Sequence, residues 1–182
     1  MSATETLRQD HKQIRRLEKI ITQCYKKIYA GENIPFSDIE QITIIISEFL
    51  DAIHYSREED AYFPCVASYD SLKKEIRGFM IEHEFGRRIA RSVATHLQRW
   101  KEGQDAREPV ARFLRTYAIY LNDHITKEEN FFDTAEKEIL STEEEKIMYD
   151  EFRAVTAVTT KLDEMIKSIS LLEEKDWNKD QI

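Results

Sequence analysis

The chain contains five histidines, and four of them, His11, His54, His83 and His124, fall one to each of four predicted helices. Two of the four head the same pattern, His54-Tyr-Ser-Arg-Glu58 and His124-Ile-Thr-Lys-Glu128. Residues four apart on an α-helix are separated by about 40° around the axis and roughly 6 Å along it. Each pair therefore points an imidazole and a carboxylate at the same place. Nitrogen and oxygen donors converging in this way are metal ligands. The candidate ligand set is His11, His54, Glu58, His83, His124 and Glu128.

Four imidazoles and two carboxylates suit two borderline divalent ions. If Glu58 and Glu128 both bridge, each ion receives two histidines and two oxygens. An oxo or hydroxo bridge would supply the fifth ligand, leaving one exchangeable position on each octahedral ion. Iron suits that arrangement best, because open positions invite dioxygen chemistry; zinc and manganese are also allowed. A single ion would leave buried carboxylates without a charge partner, which is costly. Because the imidazoles must be neutral to bind, the metal should loosen in acid.

Something must hold these groups at one level. Gly and Pro number seven in 182 residues, about 4 % against roughly 12 % in ordinary usage. So few turn residues exclude sandwiches, barrels and parallel sheets and leave an all-α protein. Helix one is expected from about Ala3 to Tyr29, ended by Gly31. Ser37 with Glu40 reads as a capping box opening helix two, which runs to Tyr62 before Pro64. The run 42–46 is rich in isoleucine and strand-like, yet the helical period persists on both sides of it. Helix three is expected from about Ser71 to Trp100, and helix four from Arg107 with Pro109 in its first turn. A second capping box, Ser141 with Glu144, opens a fifth helix to Leu172, and the charged tail from Glu173 is expected to fray. Residues 1–140 would form an up-down-up-down four-helix bundle, with 141–182 an additional C-terminal helix and tail.

Depth along the helices is an independent check. At about 1.5 Å per residue, His11 lies roughly 28 Å from the end of helix one, and His54 about 26 Å from the start of helix two. The same sum gives about 12 and 18 Å for His54 and His83 across the second turn, and about 26 Å each for His83 and His124 across the third. The four histidines share a level. His96 is rotated by about 220° from His83 and is expected to lie off the site. Glu59 and Glu129, one residue round from the ligand carboxylates, are expected to be solvated or to stand behind the ligands. Asp10, Glu82 and Asp123 could orient imidazoles but adjoin the ligands and point about 100° away, which makes that role the lesser expectation. Tyr120 and Tyr117, one and two turns before His124, are expected as core aromatics with their hydroxyls at the edge, the alternative being a donor to a bound oxygen species or a ligand at a vacant position.

With 35 acidic and 27 basic residues the net charge is −8, a poor match for nucleic acid or an anionic membrane. Cys24 and Cys65 are too few and too far apart for a zinc ribbon or a disulfide scaffold, and read as reduced thiols. The N-terminus lacks an apolar h-region, and no apolar run reaches the ~18 residues of a membrane span. The expectation is a soluble, cytoplasmic protein, monomeric or homodimeric.

These residues resemble the hemerythrin-like (HHE) family of non-haem di-iron bundles. The matching elements are Asp10-His11, His54-xxx-Glu58-Glu59-xx-Tyr62-Phe63-Pro64, Glu82-His83, and His124-xxx-Glu128-Glu129-xx-Phe132. The resemblance covers about residues 5 to 135. It implies that His11 and His54 hold one iron, that His83 and His124 hold the other, and that Glu58 and Glu128 bridge them. Oxygen-carrying hemerythrins have a further histidine one turn after the helix-three ligand; here that position is Arg87. The resemblance therefore implies a small diatomic or peroxide as the ligand, in sensing, storage or stress response. The alternative it carries is a redox enzyme acting on hydrogen peroxide or nitric oxide, or in repair of damaged iron centres.

Overall fold

The computed structural model describes residues 1–154 and 156–179. Helix α1 spans Ala3–Tyr29, with Ser2 capping its first turn. Helix α2 occupies residues 36–67. It starts as Phe36–Ile45, widens into π geometry over Ile46–Tyr55 and Glu58–Tyr62, and ends as Phe63–Ala67. Helix α3 is Lys73–Lys101 and α4 is Arg107–Thr134, continued by a π turn over Ala135–Ile139. Two further helices follow, α5 (Thr142–Arg153) and α6 (Thr156–Glu173), then a 3₁₀ turn at Asp176–Asn178. Among the described residues there is no strand, and no helix is long and apolar enough to cross a membrane. The all-α bundle expected from the sequence is the architecture found.

Several local expectations change. Helix α2 begins at Phe36 with Pro35 as its N-cap, and Ser37 makes no capping bond. Proline at 35 already sets the extended entry, so the serine falls inside the first turn. Pro64 does not end the helix either. A proline ring normally clashes with the carbonyl four residues back. Here the turn before it is widened, with Phe63 N–H bonded to the Glu58 carbonyl five residues back, and the helix runs on to Ala67. The expected single fifth helix is two. Helix α5 ends with Ala154 as its C-cap, and α6 starts at Thr156. The tail is docked through Lys179: Trp177 donates to Asp38 at 2.8 Å and Lys175 pairs with it at 3.1 Å. Residues 180–182 of that expected frayed tail lie outside the described residues. The Ser141–Glu144 capping box is present in both directions.

Core packing falls into two apolar clusters, one at each end of the four long helices. One contains Ala3, Leu7, Tyr62, Phe63, Ile76, Phe79, Phe131 and Phe132. The other contains Ile14, Leu17, Phe49, Ile53, Ile89, Val93, Tyr117 and Leu121. The start of α1, the end of α2, the start of α3 and the end of α4 thus share one end, which is up-down-up-down topology. His11, His54, Glu58, His83, His124 and Glu128 belong to neither cluster and fall between them.

The C-terminal helices close the outside. Met165, Ile169 and Leu172 of α6 join the larger core, and Met148 and Phe152 of α5 join the smaller. Buried Glu145 of α5 accepts from the Thr4 backbone N–H at 3.0 Å and from the Thr4 hydroxyl, which also meets the Tyr62 hydroxyl at 2.6 Å. Cys24 is buried and Cys65 half-buried, both as free thiols. Replacing Glu145 with leucine strands a buried N–H and should cost about 1–3 kcal/mol. Urea unfolding will report this as a lower midpoint with an unchanged slope; a midpoint equal to wild type would mean that Glu145 does not hold α5 down.

Candidate metal centre

All six candidate ligands are buried, none more than 2 % exposed. His11 comes from α1, His54 and Glu58 from the π-wound part of α2, His83 from α3, and His124 and Glu128 from α4. His11, His54, Glu58 and Glu128 form one cluster, and His83, His124 and Glu128 a second, each with its donor atoms within 4.8 Å of one another. The two carboxylates face both clusters. Glu58 Oε1 lies 3.5 Å from His54 Nε2 and its Oε2 lies 3.3 Å from His83 Nε2. Glu128 Oε2 lies 3.4 Å from His11 Nε2, and its Oε1 is 3.0 Å from His124 Nε2 and 3.3 Å from His83 Nε2. His96 is elsewhere, stacked on Phe113 at 5.3 Å.

Both oxygens of Glu58, one oxygen of Glu128, and the Nε2 atoms of His11 and His124 are buried with no hydrogen-bond partner. A buried carboxylate with neither oxygen bonded is costly unless a cation stands beside it. The inward atoms are thus a set of unspent donors aimed at one another, which is what a metal site requires.

The outward imidazole nitrogens follow a rule that reading one helix at a time misses. His11 Nδ1 meets Glu129 of α4 at 2.6 Å, His83 Nδ1 meets Glu59 of α2 at 2.7 Å, and His124 Nδ1 meets Glu82 of α3 at 2.8 Å. His54 Nδ1 has Asp10 of α1 at 3.5 Å, with the same carboxylate oxygen held by Arg57 at 2.6 Å. Each helix therefore supplies the carboxylate for the next helix's histidine, and the four relations close into a ring. These acids adjoin the inward residues: Glu59 and Glu129 stand behind a histidine, one of their two expected settings, and Asp10 and Glu82 take the orienting place that was the lesser expectation for them. A rotation of 100° aims them at the seam with the neighbouring helix, where the next imidazole's outer edge is found. Asp123 does stay out, paired with Lys127 at 2.6 Å. Carboxylates behind metal-binding imidazoles fix ring orientation and raise donor strength.

Electrostatics follow from this ring. Burial alone would lower the His11 pKa, but the nearby Glu128 carboxylate and the bond to Glu129 outweigh it and raise it to about 9. His83 is driven up to about 11 against its burial by Glu128, Glu58 and Glu59. Burial would raise the Glu128 carboxyl, yet His124, His11 and His83 hold it well below the usual carboxylate range.

An aromatic shell surrounds the centre, and its two sides differ. Tyr55 stacks on His83 at 3.8 Å with planes 13° apart, and Tyr120 stacks on His124 at 5.2 Å. Phe132 stacks on His11 at 5.3 Å. Arg87 does not point inward: its Nε donates to Asp51 at 2.6 Å, its Nη2 to Glu59 at 3.0 Å, and its guanidinium lies over the Tyr55 ring. Tyr55 was not legible as a site residue. It adjoins His54, so a regular helix would turn it away, but the widened winding buries Ile53, His54 and Tyr55 in succession.

Four helices around a buried imidazole and carboxylate layer define a metal-binding helical bundle. A sequence model of the hemerythrin HHE cation-binding domain matches residues 2–135. The chain belongs to that family. No curated protein and no solved structure matches it significantly.

The raised histidines fix the sign of a pH effect in the metal-free chain. Unfolded histidines titrate near 6.5, so the stability held by His11 and His83 is fully present below that pH. It is lost as pH climbs through about 9 and about 11. Urea melts of the metal-free protein should show stability falling across that window; a rising curve would contradict the ion pairing described.

Proposed function

We propose that this chain is a non-haem di-iron protein that takes up dioxygen or a related small molecule such as nitric oxide or peroxide. In this reading His11 and His54 hold one ion, His83 and His124 hold the other, and Glu58 and Glu128 bridge. The observation that carries it is the placement of the bridging pair: one oxygen of each carboxylate faces each histidine pair. Neutral imidazoles with carboxylates suit iron among borderline metals. When bound, such ions supply redox chemistry and open coordination positions for a small ligand. The chain's own part is to keep the site dry, to orient each imidazole through a carboxylate of a neighbouring helix, and to balance charge with buried acids.

With Arg87 turned outward to Glu59 and Asp51, no fifth histidine closes either half. Equal donor sets on the two sides favour sensing or redox turnover over simple reversible carriage. Hydrogen peroxide consumption, set against a stable oxygen-dependent spectrum of the reduced protein, separates an enzyme from a binding protein.

Elemental analysis should find about two iron ions per chain after loading, with absorption bands that change on reduction and on exposure to oxygen. His54→Ala or Glu128→Ala should lose most of the bound metal, because each removes a donor and leaves a buried charge imbalance. His96→Ala should leave the metal content unchanged. A chain that takes up no iron, or a His96→Ala protein that is emptied, would overturn this assignment.

A further inference from the structure

The donor atoms of the two halves are alike, but their surroundings are not. Beside His83 and His124 stand two phenols, Tyr55 and Tyr120, whose hydroxyls meet at 3.0 Å. Beside His11 stands Phe132, and the nearby Tyr62 hydroxyl is committed to Thr4. Tyr120 reaches its place because residue 86 is glycine: a Cβ there would meet the Tyr120 ring at 2.6 Å and its hydroxyl at 2.8 Å. Gly86 sits one turn after His83 on α3, so the phenol fills the space just past the metal layer. Tyr55 and Tyr117 also line a cleft of about 470 Å³ between α2 and α3, and His11 lines one of about 400 Å³ on the other side.

We infer that the His83/His124 half is the one that receives the small molecule, and that the Tyr120 hydroxyl, positioned by Tyr55 and by the bare Gly86, donates a hydrogen bond to it. This rests on the di-iron reading above and adds which half works and which residue selects the ligand. A ligand that accepts a hydrogen bond, such as a diatomic carrying partial negative charge or a peroxide, is favoured over an apolar gas of the same size. No electron or atom is transferred by the tyrosine.

The test uses the full chain loaded with ferrous iron, its iron content counted, and nitric oxide as the probe. The N–O stretch of the adduct is read by infrared in H₂O and in D₂O. Wild type should show a band that moves in D₂O. Tyr120→Phe keeps the ring and should lose that movement, with nitric oxide held about tenfold more weakly at unchanged iron content. Gly86→Ala, which displaces Tyr120, and Tyr55→Phe, which frees it, should each alter the band, whereas Phe132→Leu on the other side should not. If the band and its D₂O shift are the same in Tyr120→Phe and Tyr55→Phe as in wild type, or only Phe132→Leu changes them, the inference is wrong. Wild-type protein that binds no iron would instead overturn the di-iron reading beneath it, and this proposal with it.

Discussion

Two carboxylates and four imidazoles are held in one layer out of reach of water, and the rest of the structure is arranged around that cost. Isolated charges at such depth are too unfavourable to keep unless they are paired or coordinate a cation. Glu58, with neither oxygen hydrogen-bonded, shows the demand most clearly. A bound cation would answer it, and the chain belongs to the HHE cation-binding family. The layer also divides the core, so each long helix is apolar above and below one polar level.

Orientation comes from the neighbours. The relations of Asp10 to His54, Glu59 to His83, Glu82 to His124 and Glu129 to His11 run once around the bundle. His11, His83 and His124 are thus each hydrogen-bonded by a helix other than their own, and His54 faces Asp10 at 3.5 Å, so shifting any one helix disturbs the imidazole on the next. Arg8, Arg57 and Arg87 hold the outer sides of these acids: Arg57 on Asp10, Arg87 on Glu59, and Arg8 at 3.5 Å from Glu129. Arg57 also lies over the Phe152 ring of α5, which ties the C-terminal helices to the His54 side.

The aromatic residues set the local chemistry on either side of an otherwise even donor set. Phe63, Phe79, Phe131 and Phe132 pack one end of the layer with Tyr62, and Tyr117 and Tyr120 pack the other with Phe49. Tyr55 stacks on His83 and Tyr120 on His124, whereas Phe132 stacks on His11. Gly86 is the small residue that this arrangement needs.

How much of this was legible follows from the range of each interaction. The all-α class, the bundle, the two four-residue motifs and the common level of the four histidines follow from spacing along single helices, since rise and rotation per residue are constant. What spacing could not supply is anything decided between helices. The acids beside the ligands look solvated from one helix alone, yet the seam with the next helix buries their tips on its imidazoles. Tyr55 looks turned away until the π winding of α2 brings three consecutive residues inward. Pro64 looks like a stop until that same winding relieves its clash. Sequence by itself determined which residue types converge and at what depth; tertiary structure decided which way each imidazole faces and what stands behind it, because those depend on contacts with a different helix, between 24 and 118 residues away along the chain.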